Sequence, residues 1–125
     1  PTTRDPDAFW SQLEDYYLRI MGAFAASPRI AALTREWLTA STSPALQQAQ
    51  KEMEAALVPW FEQAIAVGQR ARAVRKDVPA TLLIAVVFAM GQATDTWLIT
   101  EHLDPRAVSK WVPVFVGMIR RALSS

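Results

Sequence analysis

The sequence has no cysteine and a single histidine, His102, among its 125 residues. The absence of cysteine excludes disulfide bonds, thiolate metal sites and cysteine nucleophiles. A metal site on a helix commonly uses two histidines four residues apart, and one histidine cannot supply that pair. We interpret His102, next to Glu101, as a helix-end residue whose partial positive charge suits the helix dipole. We therefore expect neither a metal nor a cofactor.

The sequence also lacks a strong charge and the common catalytic motifs. Its net charge is +1, which gives no support to nucleic-acid binding through bulk electrostatics. It contains no glycine-rich phosphate loop and no Gly-x-Ser-x-Gly nucleophile elbow. Acidic pairs such as Asp5 and Asp7 have the spacing of helix caps and solvated charges. We predict that the chain is not an enzyme.

A long hydrophobic run is missing too. The longest run, residues 82–91 with the sequence LLIAVVFAMG, is interrupted afterwards by Gln92, Thr94 and Asp95. A membrane-spanning helix needs roughly 20 apolar residues, about twice this length. We interpret the run as part of a helix buried on most sides of a soluble protein. A reducing cytoplasm fits the lack of cysteine, and we predict that location.

What the sequence does contain is a repeated pair, a capping residue followed by proline. Aspartate and serine accept hydrogen bonds from the first turn of a helix, and proline fits its first position. Five such starts and no alternating strand pattern predict an all-α fold, a five-helix bundle forming one domain over residues 1–125. The starts are Asp5-Pro6, Ser27-Pro28, Ser43-Pro44, Asp77-Val78-Pro79 and Asp104-Pro105. The predicted helices span residues 6–26, 28–39, 44–67, 79–101 and 105–123, with Gly68 ending the third.

Apolar residues at helical spacing predict which sides of the first three helices face inward. Pro59 and Pro113 fall inside helices and predict kinks. The kink at Pro59 coincides with Trp60 and Phe61, so the space there is either an aromatic ligand cavity or an ordinary aromatic core around a bent helix. The predicted inward residues are Phe9, Leu13, Tyr16, Tyr17, Ile20 and Phe24, then Ile30, Leu33 and Trp37, then Leu46, Met53, Leu57, Trp60, Phe61 and Ala64.

The last two helices are apolar on more sides than a small monomer can bury. The fourth helix has almost no polar face in its first half. The fifth places Val108, Trp111, Val112, Phe115, Ile119 and Ala122 on one face and further apolar residues beside it. Large exposed apolar patches usually mark interaction sites. We therefore predict a twofold homodimer in which these two helices of each copy form a four-helix bundle.

Two polar features have open interpretations. A buried Asp95 must find hydrogen bonds or a cation, or take up a proton. It would orient a polar or cationic ligand atom, or else it pairs with an arginine or faces water at the end of the bundle. The basic run Arg70, Arg72, Arg75 and Lys76 is either a phosphate site or a solvated loop.

The segment between Gly68 and Pro79, GQRARAVRKDVP, leads into an apolar helix that contains Gly91 and Trp97-Leu98. This arrangement resembles the C-terminal half of TetR-family transcriptional regulators, and the similarity of helix order covers essentially the whole chain. The resemblance implies the effector-binding and dimerisation domain of a regulator, in most cases a repressor. It also implies that DNA is bound only by a helix-turn-helix domain not present in this chain, which we expect to precede Pro1.

The alternative to a regulator domain is a helical protein-protein interaction module that uses the same surfaces without a small-molecule pocket. For the regulator domain, the resemblance and the inward faces together suggest two sets of residues. For a small apolar or aromatic effector the candidates are Tyr17, Phe24, Trp37, Trp60, Phe61, Phe88, Gln92 and Asp95. For the dimer interface they are Trp97, Trp111, Phe115, Val116, Gly117 and Ile119.

Overall fold

A computed structural model describes residues 5–39, 43–101 and 104–124. Within these ranges the chain forms five α-helices and no strand, so the predicted all-α fold is confirmed. The helices are α1 (Pro6–Ala26), α2 (Pro28–Thr39), α3 (Pro44–Arg70), α4 (Ala80–Glu101) and α5 (Pro105–Leu123). Pro59 and Pro113 lie inside continuous helices. The prediction for His102 falls outside the described residues.

Three of the predicted capping residues accept hydrogen bonds from the first turn of their helix. Asp5 accepts from the backbone N–H of Asp7 at 3.2 Å. The hydroxyl of Ser27 accepts from the N–H of Ile30 at 3.3 Å, and Asp104 accepts from that of Ala107 at 2.9 Å. These bonds satisfy N–H groups that have no partner within the helix. The prediction was wrong for Ser43, which makes no such bond.

The sequence suggested that α3 ends at Gly68, but the helix continues to Arg70. The positive φ that a terminating glycine would supply occurs instead at Arg72, with φ of 62°. Gly68 is buried, and a Cβ atom there would lie 2.5 Å from Cγ2 of Val74 and 2.8 Å from Cζ of Phe9. The position therefore requires glycine because two side chains occupy the space that another residue would fill.

The loop after α3 connects this contact to both ends of the chain. The indole N–H of Trp10 donates to the carbonyl oxygen of Ala73 at 3.2 Å, and both residues are buried. The N–H of Arg75 donates to the carbonyl oxygen of Leu123 at 2.7 Å. The start of α1, the α3–α4 loop and the end of α5 thus form one packed unit.

Helices α1 and α5 pack against each other along their lengths, which decides the orientation of α1. The predicted inward face of α5 is confirmed, since Val108, Val112 and Phe115 are buried. On α1, Trp10 and Met21 are buried although they were absent from the predicted stripe. The prediction was wrong for two of its members, Tyr16 and Ile20, which are exposed on the side of α1 away from the core.

The predicted inward stripes of α2 and α3 are also partly wrong. On α2, Ala31 is buried while Ile30 and Leu33 are exposed. On α3, Ala64 is buried while residues one to three turns earlier are exposed, because only the C-terminal half of α3 packs against the core. The exposed apolar residues of that N-terminal half are Met53, Leu57 and Trp60.

Helix α4 is the one described helix long and apolar enough to cross a membrane, judged by length and composition. Our prediction that it is buried on most sides was wrong, because 22% of its most apolar stretch is buried. Leu83, Ile84, Leu98 and Ile99 contact the core, and the opposite side is exposed. The exposed side has no covering helix among the residues that the structure describes.

We expect Gly68→Ala to lower the free energy of unfolding by about 1–3 kcal/mol, because the added methyl group forces Phe9 and Val74 apart. Chemical denaturation monitored by circular dichroism measures this change. Gly22→Ala is the matched control: its Cβ would meet nothing within 4 Å, so it should stabilise α1 by about 0.5–1 kcal/mol. Equal effects of the two substitutions would contradict the packing explanation.

Candidate functional site

Four aromatic rings form a continuous row across three helices. Tyr16 of α1 stacks on Trp60 of α3 with ring centroids 5.7 Å apart. Trp60 meets Phe61 edge-on at 5.0 Å, and Phe61 meets Phe88 of α4 at 4.8 Å. We call Tyr16, Trp60, Phe61 and Phe88 the aromatic row. It joins three predicted ligand-binding residues and adds Tyr16, which the sequence had placed in the core.

The row ends on the face of α4 that carries Asp95. Phe88, Gly91 and Asp95 follow one another at intervals of three and four residues, so they lie on the same side of the helix. A Cβ atom at Gly91 would meet nothing within 4 Å, as at Gly22 and Gly117, so no described side chain packs over this position. Oδ1 of Asp95 is buried and has no hydrogen-bond partner among the described residues. This side of α4, defined by Phe88, Gly91 and Asp95, is the inner face.

Burial raises the pKa of Asp95 to about 7. A carboxylate in a poorly solvated position favours its protonated form unless a cation or a hydrogen-bond donor compensates the charge. The sequence had left open a pairing with an arginine. The nearby Arg35 of α2 instead donates from Nε to the carbonyl oxygen of Ile99 at 2.9 Å. Asp95 is therefore a largely buried carboxyl group with one oxygen that no described residue binds.

Of the remaining predicted ligand-binding residues, Tyr17 and Phe24 are half-buried and pack against the core. Gln92 is exposed and lies four residues after Phe88 and three before Asp95, which places it at the edge of the inner face. Its part in the site stays a prediction. The prediction for Trp37 concerns a side chain outside the described part of the structure.

An open cleft of about 360 Å³ lies between α1 and the exposed half of α3. Arg19 borders it, with Cζ 5.8 Å from the centroid of the Tyr16 ring. Asp15 and Trp60 lie on its sides. We call this space the α1–α3 cleft. Periodicity had placed Tyr16 in the core, because spacing alone could not show that this side of α1 faces outward.

A second, smaller cleft of about 230 Å³ lies between α1 and α5. Arg120 and Asp7 form an ion pair at its edge. Both side chains are substantially exposed, so the pair contributes little to stability. Nothing in this cleft matches the predicted effector site.

The predicted interface residues of α4 and α5 mostly contact each other within the chain. Trp97 meets Trp111 edge-on at 5.1 Å, and Phe115 lies 6.2 Å from both rings. Phe115 and Val116 are 6% and 9% exposed, so these two residues offer almost no surface to a second copy, contrary to our prediction. Ile119 is half-buried against the core, and the position of Gly117 is open.

The apolar surface that α5 does expose is rotated from the predicted one. Val114 and Met118, one turn apart, are 47% and 45% exposed. Together with the half-buried Ala107 and Trp111 they follow a spacing of four, three and four residues, which is the spacing of a helix-pairing seam. We therefore assign the predicted α5 interface to this seam. That it pairs with a second copy of the chain stays a prediction.

The exposed side of α4 has a similar character. Leu82, Ala85, Ala89 and Ala93 are exposed and lie on one side of the helix. We call this side the outer face. Asp95 is the only charged residue of α4 before Glu101, and it belongs to the inner face. A solvent-facing helix side over four turns without a charge is unusual for a surface helix.

The basic loop contains one internal ion pair. Arg75 donates from Nε and Nη2 to the two oxygens of Asp77, both at 2.7 Å. These hydrogen bonds lower the pKa of Asp77. Asp77 therefore binds Arg75. It does not cap α4, although the sequence had suggested that it would. Arg70, Arg72 and Lys76 are exposed, in agreement with a solvated loop.

The described residues contain no group of three or more histidine, aspartate or glutamate side chains that could hold a metal ion. No protein-family model, curated protein or solved structure matches this chain. The class that the fold defines is an all-α bundle with one unusually apolar, two-sided helix. Its functional interpretation rests on the inner and outer faces of α4.

We expect Asp95→Asn to stabilise the protein more at pH 8 than at pH 4.5. Because the folded state raises the pKa of Asp95 from 3.8 to about 7, it binds the proton more tightly than the unfolded state. Stability from this group is therefore greatest below pH 4 and decreases as the pH rises through 7. The stabilising effect of Asp95→Asn should be about 2 kcal/mol larger at pH 8 than at pH 4.5. This is roughly half of the free energy that corresponds to the whole pKa shift, because the carboxyl group retains some contact with water.

Urea denaturation of both proteins at the two pH values measures this difference. Asp15→Asn, which changes an exposed carboxyl group of α1, is the control and should show no such pH dependence. A constant effect of Asp95→Asn across this range would contradict the assignment of a buried, uncompensated carboxyl group.

Proposed function

We propose that this chain is the effector-binding and dimerisation domain of a TetR-like transcriptional regulator, a repressor that acts in the cytoplasm. The observation that carries the proposal is the outer face of α4, which is exposed, apolar and uncharged. A face of this kind is stable in water when a partner covers it. The basic segment between Gly68 and Pro79 and the order of the helices are the features that resemble that family.

A second copy of the chain is the partner that fits this face. Alanine at positions 85, 89 and 93 allows another helix to approach closely, and Leu82 fills the space at the end. The exposed seam of α5, with Val114 and Met118, is a second apolar surface that the same partner would cover in this proposal. A twofold axis would bring α4 and α5 of each copy together as a four-helix bundle.

The inner face of α4 supplies the effector site in this proposal. The aromatic row provides apolar walls, and Asp95 provides one polar contact on the same side of α4 as Phe88. Apolar walls with few polar groups are typical of small-molecule sites. A small apolar or aromatic effector is the class of ligand that fits them.

Regulation follows from the position of α4 between the two faces. An effector on the inner face changes the tilt or rotation of α4, and the outer face transmits that change to the second copy. The effector must bind one arrangement of the dimer more tightly than the other, because equal affinity would shift no equilibrium. The DNA-binding domain belongs to a part of the regulator outside this chain.

A helical protein-interaction module is the second candidate. The observation in its favour is the exposed apolar surface of α1 and of the N-terminal half of α3, formed by Tyr16, Ile20, Met53, Leu57 and Trp60. Thermal-shift screening separates the two candidates. Saturable stabilisation by small aromatic compounds supports an effector site, and no response across a broad collection supports the interaction module.

We expect the chain to be a dimer at micromolar concentration and Ala89→Glu to make it monomeric. The substitution buries an unpaired charge at the centre of the proposed interface, which costs several kcal/mol, on the order of the interaction itself. Sedimentation velocity without detergent measures the oligomeric state. Gln63→Glu, on the exposed side of α3, is the matched control and should remain dimeric.

A wild-type chain that sediments as a monomer would remove the basis of the dimer. A chain that stays in solution only with detergent would instead indicate that α4 contacts lipid. A helical circular dichroism spectrum of Ala89→Glu shows that the substitution has separated the copies without unfolding them.

A further inference from the structure

We propose that the α1–α3 cleft binds free aromatic amino acids. The ring of the ligand stacks on Trp60, its ammonium group pairs with Asp15, and its carboxylate pairs with Arg19. None of the described residues of α4 lines this cleft. The inference therefore goes beyond the proposed function, because the site requires neither an effector on the inner face nor a second copy of the chain.

The cleft provides both a defined space and an exposed aromatic surface. Its volume is about 360 Å³, within the range of small-molecule sites. Tyr16 and Trp60 line it and remain 46% and 36% exposed although they stack on each other. Leu13 of α1 adds an aliphatic side chain to the same lining. A further ring in the cleft would remove apolar surface of this aromatic pair from water, which favours binding.

Two opposite charges line the same cleft without neutralising each other. Asp15 and Arg19 lie four residues apart on α1, so they are one turn apart on one side of the helix. That spacing permits an ion pair, but neither side chain has a hydrogen-bond or ion-pair partner among the described residues. Arg19 instead lies over the ring of Tyr16. One carboxylate and one guanidinium group are therefore both free to contact a ligand.

A zwitterion is the ligand that uses both charges. An anionic ligand is attracted by Arg19 but repelled by Asp15, and the reverse holds for a cationic ligand. An α-amino acid carries an ammonium group and a carboxylate on one carbon atom, so each group can face the side chain of opposite charge. Guanidinium groups bind carboxylates through two parallel hydrogen bonds. The amide of Gln12, which also lines the cleft, can donate or accept one more.

Three probes with the same ring separate the contributions of the two charged groups. They are L-phenylalanine, 2-phenylethylamine, which lacks the carboxylate, and 3-phenylpropionate, which lacks the ammonium group. Asp15 and Arg19 are exposed, so each pairing contributes modestly. We expect L-phenylalanine to bind about threefold to fivefold more tightly than either analogue.

NMR titration of the full chain at pH 7 measures these affinities and locates the ligand. The five tryptophans each give one indole N–H signal, and Trp60→Phe identifies the signal of Trp60. That signal should move on titration. The signal of Trp10 should stay in place, because its buried N–H donates to Ala73 and exchanges slowly with solvent. A Trp60 signal that does not respond to L-phenylalanine would overturn the proposal.

Two substitutions in the cleft should have reciprocal effects. Arg19→Gln should abolish the advantage of L-phenylalanine over 2-phenylethylamine and keep its advantage over 3-phenylpropionate. Asp15→Asn should do the opposite. Arg29→Gln of α2 and Glu54→Gln of α3 change exposed charges outside the cleft, so these matched controls should keep both preferences.

Equal affinities of the wild-type chain for the three probes would overturn the proposal, as would preferences that persist in both cleft variants. The dispersion of each NMR spectrum shows whether the variant is folded. Sedimentation velocity separates this inference from the proposed function. A monomer with the expected preferences supports the cleft and overturns the dimer, whereas a dimer without them overturns the cleft alone.

Discussion

The close contact between Gly68, Phe9 and Val74 is the constraint on which the rest of the structure depends. It brings the first turns of α1 against the end of α3, where no side chain larger than hydrogen fits. The hydrogen bond from Trp10 to Ala73 and that from Arg75 to Leu123 attach the loop and the end of α5 to the same place. Because the anchored ends of α1 and α5 lie together, the two helices pack along their lengths. Helix α4 is then left with one face toward the core and one toward solvent.

This position gives α4 two functions in the proposed regulator. Its outer face has the small, uncharged side chains that a pairing helix needs, and its inner face has the only charged group in four turns. Buried carboxylates without a partner are destabilising, and proteins commonly retain such groups where they bind or react. At Gly68 a Cβ atom would collide with Phe9 and Val74, whereas at Gly91 it would meet nothing within 4 Å, so of these two positions only Gly68 requires glycine for packing.

The sequence predicted the helices well and the site only in part. Three of the aromatic residues assigned to the effector site, Trp60, Phe61 and Phe88, are connected by ring contacts. Tyr16 replaces the predicted Tyr17 in the aromatic row. Neighbouring residues of a helix differ by about 100° in direction, so an error of one residue moves a side chain to another face. On α5 the same effect separates the buried Phe115 from the exposed Val114.

The starts of most helices were determined by the sequence itself, because capping and proline act within about four residues and need no distant partner. The three capping bonds of Asp5, Ser27 and Asp104 illustrate this local control. The side of each helix that faces the core was decided only by the tertiary structure. Periodicity defines an inward direction when a helix has one apolar side, and α4 is apolar nearly all round. Its inner and outer faces became distinct only when α2, α3 and α5 covered one of them.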